Sequence, residues 1–549
     1  MIGWLQAAAV IVIVGVIHVP LGDYMARVYT SARHSRAEKA IYRLIGVAPD
    51  EEQKWTRYLG SLLAFSVMGI LVLYGLLLLQ RYLPQPWGHK GMDPPLAFNT
   101  AVSFTTNTSW QNYAGESSLG HLGLAAGLGV EAFASAAVGM CVAIALVRGL
   151  ARRETDRLGN FWVDLVRGCL QILLPLSLLF GAVLVCLGVV QNFGGGQDIA
   201  TIAGGHQTIL GGPVASWEPI KLLSGDGGGA FNANSAHPFE NPGPLTNIIE
   251  IVLMLLIPTA FIRTFAKIID DKRQGWALLV VAAVLFAGGM FAMGAAETVH
   301  HSTVATAVGS ATEGTETRFG VPASALFGQT ATASADGAAI SSYDSFASLG
   351  GGMLLANMML GEVSPGGAGS GLYGLLIMAM LAVFVGGLMI GRTPEYLKKR
   401  LGGREMKFIS LYVFVAPLAI LVGTTTAMGL TGERKQMAST GPHGLSEVLY
   451  AFTSSAASNG SAFGGFTGNT TWYNVALGLA MLIGRYLPMI FVLALAGSLA
   501  AQRPGVVTIG TLRTHSPVFI ALLVSTTVIV VGLEYFPALA LGPLAEGVH

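Results

Sequence analysis

Ten apolar stretches dominate the sequence and leave it few ways to fold. A helix that crosses the hydrocarbon core of a membrane needs about 20 mostly apolar residues. Stretches of this kind begin near Ile2, Leu59, Leu122, Val163, Leu245, Trp276, Phe346, Phe408, Val475 and Val518. Of the 549 residues, 52% are hydrophobic and 11% are charged, whereas soluble domains carry roughly 25% charged residues. We therefore predict an all-α polytopic membrane protein with about ten transmembrane helices.

The distribution of lysine and arginine predicts how the chain is oriented. If the N-terminus lies outside, the inner loops hold 24 of the 31 basic residues and the outer segments hold six, with Arg485 inside a span. Because basic residues collect on the cytoplasmic side, both termini are expected on the other side. The first stretch lacks a basic start and a cleavage pattern, so we interpret it as a retained helix. The net charge of +1 and the absence of a basic stripe argue against a nucleic-acid partner.

Four outer loops contain the same kind of insert. Each insert starts with a short candidate helix, at 95–104, 215–223, 322–330 and 445–453. Each helix is followed by a small, polar stretch: TTNTSWQNY from Thr105, SGDGGGAFNANS from Ser224, ASADGAAISSYDS from Ala333, and SSAASNGSAFGG from Ser454. Recurrence about every 110 to 125 residues is typical of repeated units around one axis. Four unrelated polar loops are the alternative.

The repetition predicts how the chain is divided. Each repeat would consist of a helix, a re-entrant pore loop and a second helix. An N-terminal helix with its loop would occupy 1–58, the four repeats 59–150, 163–271, 275–400 and 407–501, and a C-terminal helix 516–549.

The second insert, at 224–242, contains three consecutive glycines followed by polar residues. Irregular backbone occurs at membrane depth only where protein buries it or where it lines a wet cavity. Glycine allows positive φ and the close approach of carbonyl oxygens, which a ring of backbone ligands around a dehydrated cation requires. The insert therefore favours an ion filter, and a flexible loop outside the membrane is the alternative.

The seventh apolar stretch is interrupted by EVSPGGAGSG at 362–371, a segment that we call the flap. The flanking pieces of about 16 and 19 residues are expected to form one crossing that is broken at mid-depth, since two crossings would place a basic loop outside. Pro365 removes a helical hydrogen bond and the glycines add flexibility. We therefore predict a mobile gate beneath the filter, with a merely kinked helix as the alternative.

Arg485 and the missing catalytic motifs bear on the kind of function. An arginine at mid-span is costly unless it is paired or hydrated, so Arg485 should face the interior. There it would either hold helices together or act on cations in a cavity. The sequence has no GxxxxGK[ST] phosphate loop, so ATP hydrolysis by this chain alone is not expected. An intramembrane enzyme would need a nucleophile and a base, and no spacing suggests such a pair.

Six motifs carry a resemblance to a known family. They are TTNTSWQNYAGE from Thr105, GGGAFNANSAHPFENP from Gly227, DSFASLGGGM from Asp344, GSGLYG from Gly369, GRTPEYL from Gly391, and NGSAFGGF from Asn459. With these motifs nearly the whole chain resembles the potassium-binding A subunit of the Kdp potassium-transporting ATPase. That family belongs to the potassium-transporter superfamily, whose members have four pore-loop repeats.

The resemblance implies specific site residues. It places a potassium filter at the centre of the four inserts, formed by Asn107, Thr108, Gly225, Asp226, Gly227, Gly228, Ala335, Asp336, Gly337, Ser458, Asn459 and Gly460. It implies an ion exit path at Gln111 and Arg485. The gate would consist of Glu362, Gly366, Gly367, Gly369 and Arg392.

The resemblance also implies a function and partners. The chain would be a non-catalytic subunit in a bacterial inner membrane that captures extracellular potassium at submillimolar levels. It would pass the ion to a P-type ATPase subunit (B), in a complex with an auxiliary C subunit, a small F-type single-span peptide and membrane lipid. Potassium is the transported ligand and no cofactor is expected. A self-sufficient potassium channel or symporter with the same repeats is the alternative.

Two acidic residues depart from the family pattern. Asp226 and Asp336 stand just before the second and third filter glycines, where the family commonly has uncharged residues. Facing the ion, the two carboxylates would raise cation affinity and influence each other's ionisation. Turned behind the filter, they would bond to backbone N–H groups and affect stability instead. The fourth loop is also poorer in asparagine than the resemblance leads us to expect.

Overall fold

The computed structural model describes residues 2–84, 89–298, 312–361, 363–389, 391, 393–503, 505 and 512–548. Most of these residues are helical, because an apolar chain in lipid satisfies its own backbone hydrogen bonds as a helix. The helices are α1 (Ile2–Thr30), α2 (Arg36–Leu44), α3 (Trp55–Leu79), α4 (Pro94–Thr105), α5 (Gly115–Ser118), α6 (Gly129–Ala151), α7 (Phe161–Arg167), α8 (Leu174–Cys186), α9 (Val214–Ser224), α10 (Pro244–Ile268), α11 (Lys272–Thr298), α12 (Gly320–Ala333), α13 (Ser348–Met359), α14 (Ser370–Met389), α15 (Gly403–Gly429), α16 (Thr431–Arg434), α17 (Gly441–Ala457), α18 (Thr471–Ala501), α19 (Pro517–Leu541) and α20 (Pro543–Val548).

Short extended segments pair outside these helices. They form three two-stranded antiparallel sheets, β1 (Gln53–Lys54) with β2 (Arg157–Gly159), β3 (Gln197–Ala200) with β4 (His206–Ile209), and β5 (Glu395–Tyr396) with β6 (Lys399–Arg400). Two stretches of π-helix, Gly123–Leu128 and Gly168–Leu173, lead into α6 and join α7 to α8.

The described residues contain ten helical segments that are long and apolar enough to cross a membrane, as the sequence predicts. They are Gly3–Thr30, Trp55–Tyr82, Gly123–Ala151, Phe161–Cys186, Pro244–Ile268, Lys272–Glu297, Ser370–Met389, Gly403–Gly429, Thr471–Ala501 and Pro517–Leu541. The third and fifth, which contain α6 and α10, are the most buried, with 89% and 83% of their most apolar stretches covered by protein. The core is therefore centred on α6 and α10.

The predicted break in the seventh stretch is present, but it is not at the middle. Helix α13 has 12 residues and α14 has 20, with the flap between them. At 1.5 Å per residue, α14 alone is about 30 Å long, which matches the hydrocarbon thickness of a bilayer. The full crossing therefore lies in α14, and α13 is a separate half-length helix that packs against α11 and α12.

The four predicted short helices are also present, as α4, α9, α12 and α17. We call them the pore helices. Proline near the N-terminus begins α4 and α17, where its missing N–H costs no hydrogen bond. Each pore helix ends beside a residue with left-handed backbone, namely Asn107, Gly225, Ala335 and Ser458. The left-handed residue turns the chain sharply, so each pore loop leaves its helix in a new direction.

Both ends of the chain lie on one face of the protein, which we call the terminal face. The start of α1 packs at Gly3 against Pro322, in the first turn of pore helix α12. At the other end of the chain, Glu546 in α20 is 3.0 Å from His443 at the start of pore helix α17. Helix α1 runs parallel to α10. Near the opposite face, Asp23 in α1 forms a salt bridge of 2.8 Å with Arg263 in α10.

Candidate functional site

The four pore loops meet in a closed ring. The side-chain amide of Asn107 in the first loop donates to the carbonyl oxygens of Ser224 (3.2 Å) and Gly225 (2.9 Å) in the second. Residues more than 100 positions apart are thereby joined through backbone carbonyls. The first and second loops are therefore fixed to each other at the level of the predicted filter.

Glycines make the other three junctions of the ring. A Cβ on Gly227 would overlap with the backbone of Gly337 in the third loop. A Cβ on Gly337 would lie 2.7 Å from the carbonyl oxygen of Asn459, and one on Gly460 would overlap with the carbonyl oxygen of Thr108. Only glycine allows this close backbone approach at the junctions. The predicted filter residues of all four loops are thus brought together.

Left-handed backbone recurs at alternate positions of three loops. It occurs at Asn107 and Ser109, at Gly225 and Gly227, and at Ser458 and Gly460. Among the described residues, no hydrogen bond is donated to the carbonyl oxygens of Thr108, Asp226 and Asp336. Unpaired carbonyls in protein interiors are uncommon, and they are the groups that can replace the water around a dehydrated cation.

The two filter carboxylates have different surroundings. Both are fully buried. Asp336 Oδ1 accepts a hydrogen bond from the backbone N–H of Ala338 at 2.9 Å, whereas Asp226 accepts none from a described backbone N–H and has the Ser109 side chain as its polar neighbour. In the fourth loop Asn459 Oδ1 accepts from the N–H of Ser461 at 3.2 Å, which is the same turn as at Asp336. Asp336 is therefore partly turned to the backbone, and Asp226 is not.

A polar cavity of about 560 Å³ opens beside the filter, and we call it the vestibule. It is lined by the segments that follow the filter in all four loops, including Gln111, Asn234, Gly337 and Gly460. Gln111 bonds to both polar groups of the Gly229 backbone, at 2.9 and 3.3 Å. Gln111 therefore belongs to the vestibule.

Arg485 lies elsewhere. It is buried in α18, and its guanidinium donates to the carbonyl oxygen of Ser135 in α6 at 3.3 Å. Ser135 donates in turn to Asn107 Oδ1 at 3.0 Å, so Arg485 is linked to the filter through α6. It lines an inner cavity of about 110 Å³ together with Ser458. Arg485 is buried, as the sequence predicts, and it lines a different cavity from Gln111. Their assignment to the ion exit path stays a prediction.

The described part of the flap lies directly against the filter. Residues 363–369 are buried, and the N–H of Gly366 donates to the carbonyl oxygen of Ala333 at the end of α12 at 3.0 Å. Gly369 has φ +92° and touches the backbone of Gly139 in α6. Three of the predicted gate residues, Gly366, Gly367 and Gly369, are thus at the filter. Glu362 and Arg392 lie outside the described residues.

One group of residues near the filter is not among those predicted from the sequence. The ammonium of Lys221, in pore helix α9, is fully buried and within 3.0 Å of Glu218 and Glu240. It also contacts Asn234, whose amide donates to the carbonyl oxygen of Gly227 at 2.8 Å. Glu240 lies in the HPFENP motif, which was the available signal. The sequence could not show which lysine this glutamate binds.

The fold resembles a solved potassium transporter. The crystal structure of the potassium transporter TrkH from Vibrio parahaemolyticus superimposes on this chain with a TM-score of 0.55. The superposition includes 87% of this chain and 97% of the TrkH chain. At 14% sequence identity, this likeness concerns the fold alone.

Closer relatives are known by sequence. The protein from Clavibacter michiganensis subsp. michiganensis named potassium-transporting ATPase potassium-binding subunit is 55% identical over 550 residues, which are 99% of each chain. A protein of the same name from Frankia alni is 54% identical over 581 residues, covering 100% of this chain and 99% of its own. Residues 8–548 match the family described as Potassium-transporting ATPase A subunit. The chain therefore belongs to the family of potassium-transporting ATPase A subunits.

Proposed function

We propose that this protein binds potassium on the outer face of a bacterial inner membrane and passes it through the four-loop filter, as one subunit of an ATP-driven uptake complex. The observation that carries the proposal is the closed ring of pore loops, with its glycine junctions and unpaired carbonyls. Such a ring can replace the hydration shell of a monovalent cation. The names of the relatives from Clavibacter and Frankia support potassium as that cation.

The order of the cavities supports a path for the ion. An ion would enter through the vestibule, lose water in the filter and meet the flap beneath it. The flap would then act as the gate, because its backbone lies against the filter and α6. Beyond the flap, the inner cavity at Arg485 is where the positive guanidinium would direct a cation sideways towards a partner.

The energy source would be a separate subunit. The sequence carries no phosphate-binding loop, so this chain would be a non-catalytic subunit. The subunit names of its relatives support assembly into an ATPase complex. The partners we propose are a P-type ATPase subunit (B), a C subunit and a small F-type peptide, together with membrane lipid.

Gly227→Ala tests the filter. A Cβ at this position would overlap with Gly337, and φ is +77°, so the ring should open and the apparent potassium affinity of the complex should fall at least tenfold, about 1.4 kcal/mol. The measurement is potassium-dependent ATP hydrolysis by the purified complex. Gly75→Ala is the matched control, because nothing lies within 4 Å of that Cβ. An unchanged potassium dependence of Gly227→Ala would contradict the proposed filter.

The same assay tests the gate with a second pair of variants. Gly369→Ala places a methyl group at φ +92° against Gly139, and Gly361→Ala places one at φ +75° with nothing within 4 Å. The backbone strain is similar, but only Gly369 contacts another helix. We expect Gly369→Ala to alter potassium flux per ATP hydrolysed and Gly361→Ala to leave it unchanged. Equal effects of the two variants would indicate that the flap is only a kink in the helix and has no gating role.

Reconstitution of the chain alone tests the need for a partner. We expect little potassium flux into vesicles without the other subunits and ATP. Robust flux from the isolated chain would instead favour a self-sufficient channel or symporter.

A further inference from the structure

Lys221 lies in a fully buried polar cluster behind the second pore loop. Its ammonium is 2.9 to 3.0 Å from Glu218 Oε1, Asn234 Oδ1, Ser235 Oγ and Glu240 Oε2. Lysine is almost never fully buried unless it is paired, and here two carboxylates and two neutral oxygens surround it. The four partners come from pore helix α9 and from the segment that follows the filter. Lys221 therefore holds these two parts of the second repeat together.

The cluster reaches the filter through one residue. While Asn234 Oδ1 accepts from Lys221, its Nδ2 donates to the carbonyl oxygen of Gly227 at 2.8 Å. The amide can make both bonds only in one orientation. Lys221 and the backbone N–H of Ser235, which donates to Asn234 Oδ1 at 2.8 Å, together determine which end of Asn234 faces the filter. Glu240 strengthens the arrangement, because its other oxygen accepts from the N–H of Phe231 at 2.9 Å.

The backbone of Gly227 gains from such support. It has φ +77° and no side chain, so a hydrogen bond to its carbonyl helps to fix the orientation of its peptide unit. Neutral groups hold the segments after the filter in two other loops. Ser103 donates to the carbonyl oxygen of Trp110, and Tyr343 donates to that of Ala338, both at 2.9 Å. In the second loop Trp217 likewise donates to the carbonyl oxygen of Gly228 at 2.7 Å, and the carbonyl of Gly227 itself is held by Asn234, which binds a buried charge.

We propose that Lys221 and Asn234 are positioning residues that fix the Gly227 carbonyl and thereby set the discrimination between potassium and sodium. This inference rests on the proposed function. A held carbonyl keeps the ring at the size that fits the larger ion, whereas a free one can move inward to coordinate a smaller ion. Loss of the bond should therefore affect selectivity and apparent affinity more than the maximal rate.

Two substitutions at Asn234 remove the donated bond in different ways. Asn234→Asp retains an oxygen for Lys221 but cannot donate to Gly227. Asn234→Gly removes the amide without adding charge and tolerates the local φ of +53°. Ser235→Ala is the matched control, since it removes another partner of Lys221 and leaves the bond to Gly227 in place.

The assay is ATP hydrolysis by the purified complex with potassium or sodium as the only monovalent cation. We expect both Asn234 variants to lower the preference for potassium over sodium at least fivefold, with the maximal rate within about twofold of wild type, and Ser235→Ala to match wild type. Lys221→Gln in the Asn234→Asp background should add no further loss of selectivity. This double variant separates the bond to Gly227 from general effects of the cluster.

The possible outcomes distinguish this inference from the proposed function. A wild-type complex that does not respond to potassium would overturn the proposed function. A selective wild type with equally selective Asn234 variants would overturn only the role of Lys221 and Asn234. Opposite shifts in the Asp and Gly variants would show that charge near the filter, rather than the donated bond, controls selectivity, and would also refute it.

Discussion

Asp226 and Asp336 precede equivalent glycines of neighbouring pore loops, yet only one of them is bonded to the backbone. The hydrogen bond from Ala338 to Asp336 satisfies one carboxylate oxygen, while Asp226 is buried without a described backbone partner, beside the Ser109 side chain. A buried carboxylate that the backbone does not hold is costly, and at membrane depth such groups usually serve function. We therefore expect Asp226 to act on the ion, and Asp336 to support the loop.

The substitutions Asp226→Asn and Asp336→Asn should therefore differ. An ionised carboxylate about 6 Å from an ion would contribute roughly 3 kcal/mol at an effective dielectric constant of about 20. At a pH where Asp226 is ionised, Asp226→Asn should therefore lower apparent potassium affinity at least about fivefold. Asp336→Asn keeps the oxygen that Ala338 needs, as Asn459 does in the fourth loop, and should change affinity less than about twofold. The potassium dependence of ATP hydrolysis measures both.

Protein yield from detergent extracts is the control for these two variants. Each variant should be recovered at a level that allows the assay, because asparagine fills the same volume. Equal changes in affinity would show that both carboxylates act on the ion in the same way. If only Asp226 acts on the ion, the double variant should instead have the same potassium affinity as Asp226→Asn alone.

At the scale of elements, His443 attaches the C-terminal helix to the pore loops. Its imidazole lies between Asp344 after the third loop (2.9 Å) and Glu546 in α20 (3.0 Å). Hydrogen bonds to Asp344 and Glu546 raise the pKa of His443 from 6.5 to about 10 despite its partial burial. A protonated His443 therefore holds three separate segments together at neutral pH.

This attachment predicts a pH-dependent contribution to stability. Because the folded pKa lies above the unfolded one, the contribution is complete below pH 6.5 and is lost as the pH rises towards about 10. His443→Gln should lower Tm most at pH 6.5 and little near pH 10. Thermal unfolding across this range is the measurement, with His206→Gln in the exposed strand β4 as the control. A constant Tm difference across the range would refute the ionic attachment.

At the scale of the whole molecule, the starts of pore helices α12 and α17 and both chain ends share the terminal face. Gly3 and Glu546 each pack beside the start of a pore helix, while the pair of Asp23 and Arg263 lies near the other face. This arrangement agrees with the distribution of basic residues, most of which lie in loops on the side opposite the termini. Together they predict that the termini and the vestibule are extracytoplasmic.

Reporter fusions test this orientation. A reporter enzyme that is active only outside the cytoplasm should be active when it is fused to either terminus. The same reporter inserted after Arg33, between α1 and α2, should be inactive and serves as the control. If the reporter were active after Arg33 and inactive at both termini, the orientation would be the opposite of the predicted one, with the vestibule on the cytoplasmic side.

The sequence by itself determined the ten spans, the four pore helices and the position of the flap. These features depend on local properties, namely runs of about 20 apolar residues, repeated polar inserts, and proline with glycine inside an apolar stretch. The resemblance added the filter residues, and the structure brings all four groups of them together. The sequence predicts the break at mid-depth, but α14 alone is long enough to cross the membrane. The break lies where the backbone hydrogen bonds of the helix end, and the apolar pattern does not specify that position.

Only the tertiary structure decided which groups face each other within the site. The contact of Gly460 with Thr108 and that of Asn107 with Gly225 join residues more than 100 positions apart, and no local pattern encodes such a pairing. For the same reason the sequence could not show that Lys221 binds Glu240 or that Gln111 and Arg485 line different cavities. Hydrophobic length determines how often the chain crosses the membrane, whereas hydrogen bonds and close backbone contacts between distant segments determine the geometry of the filter.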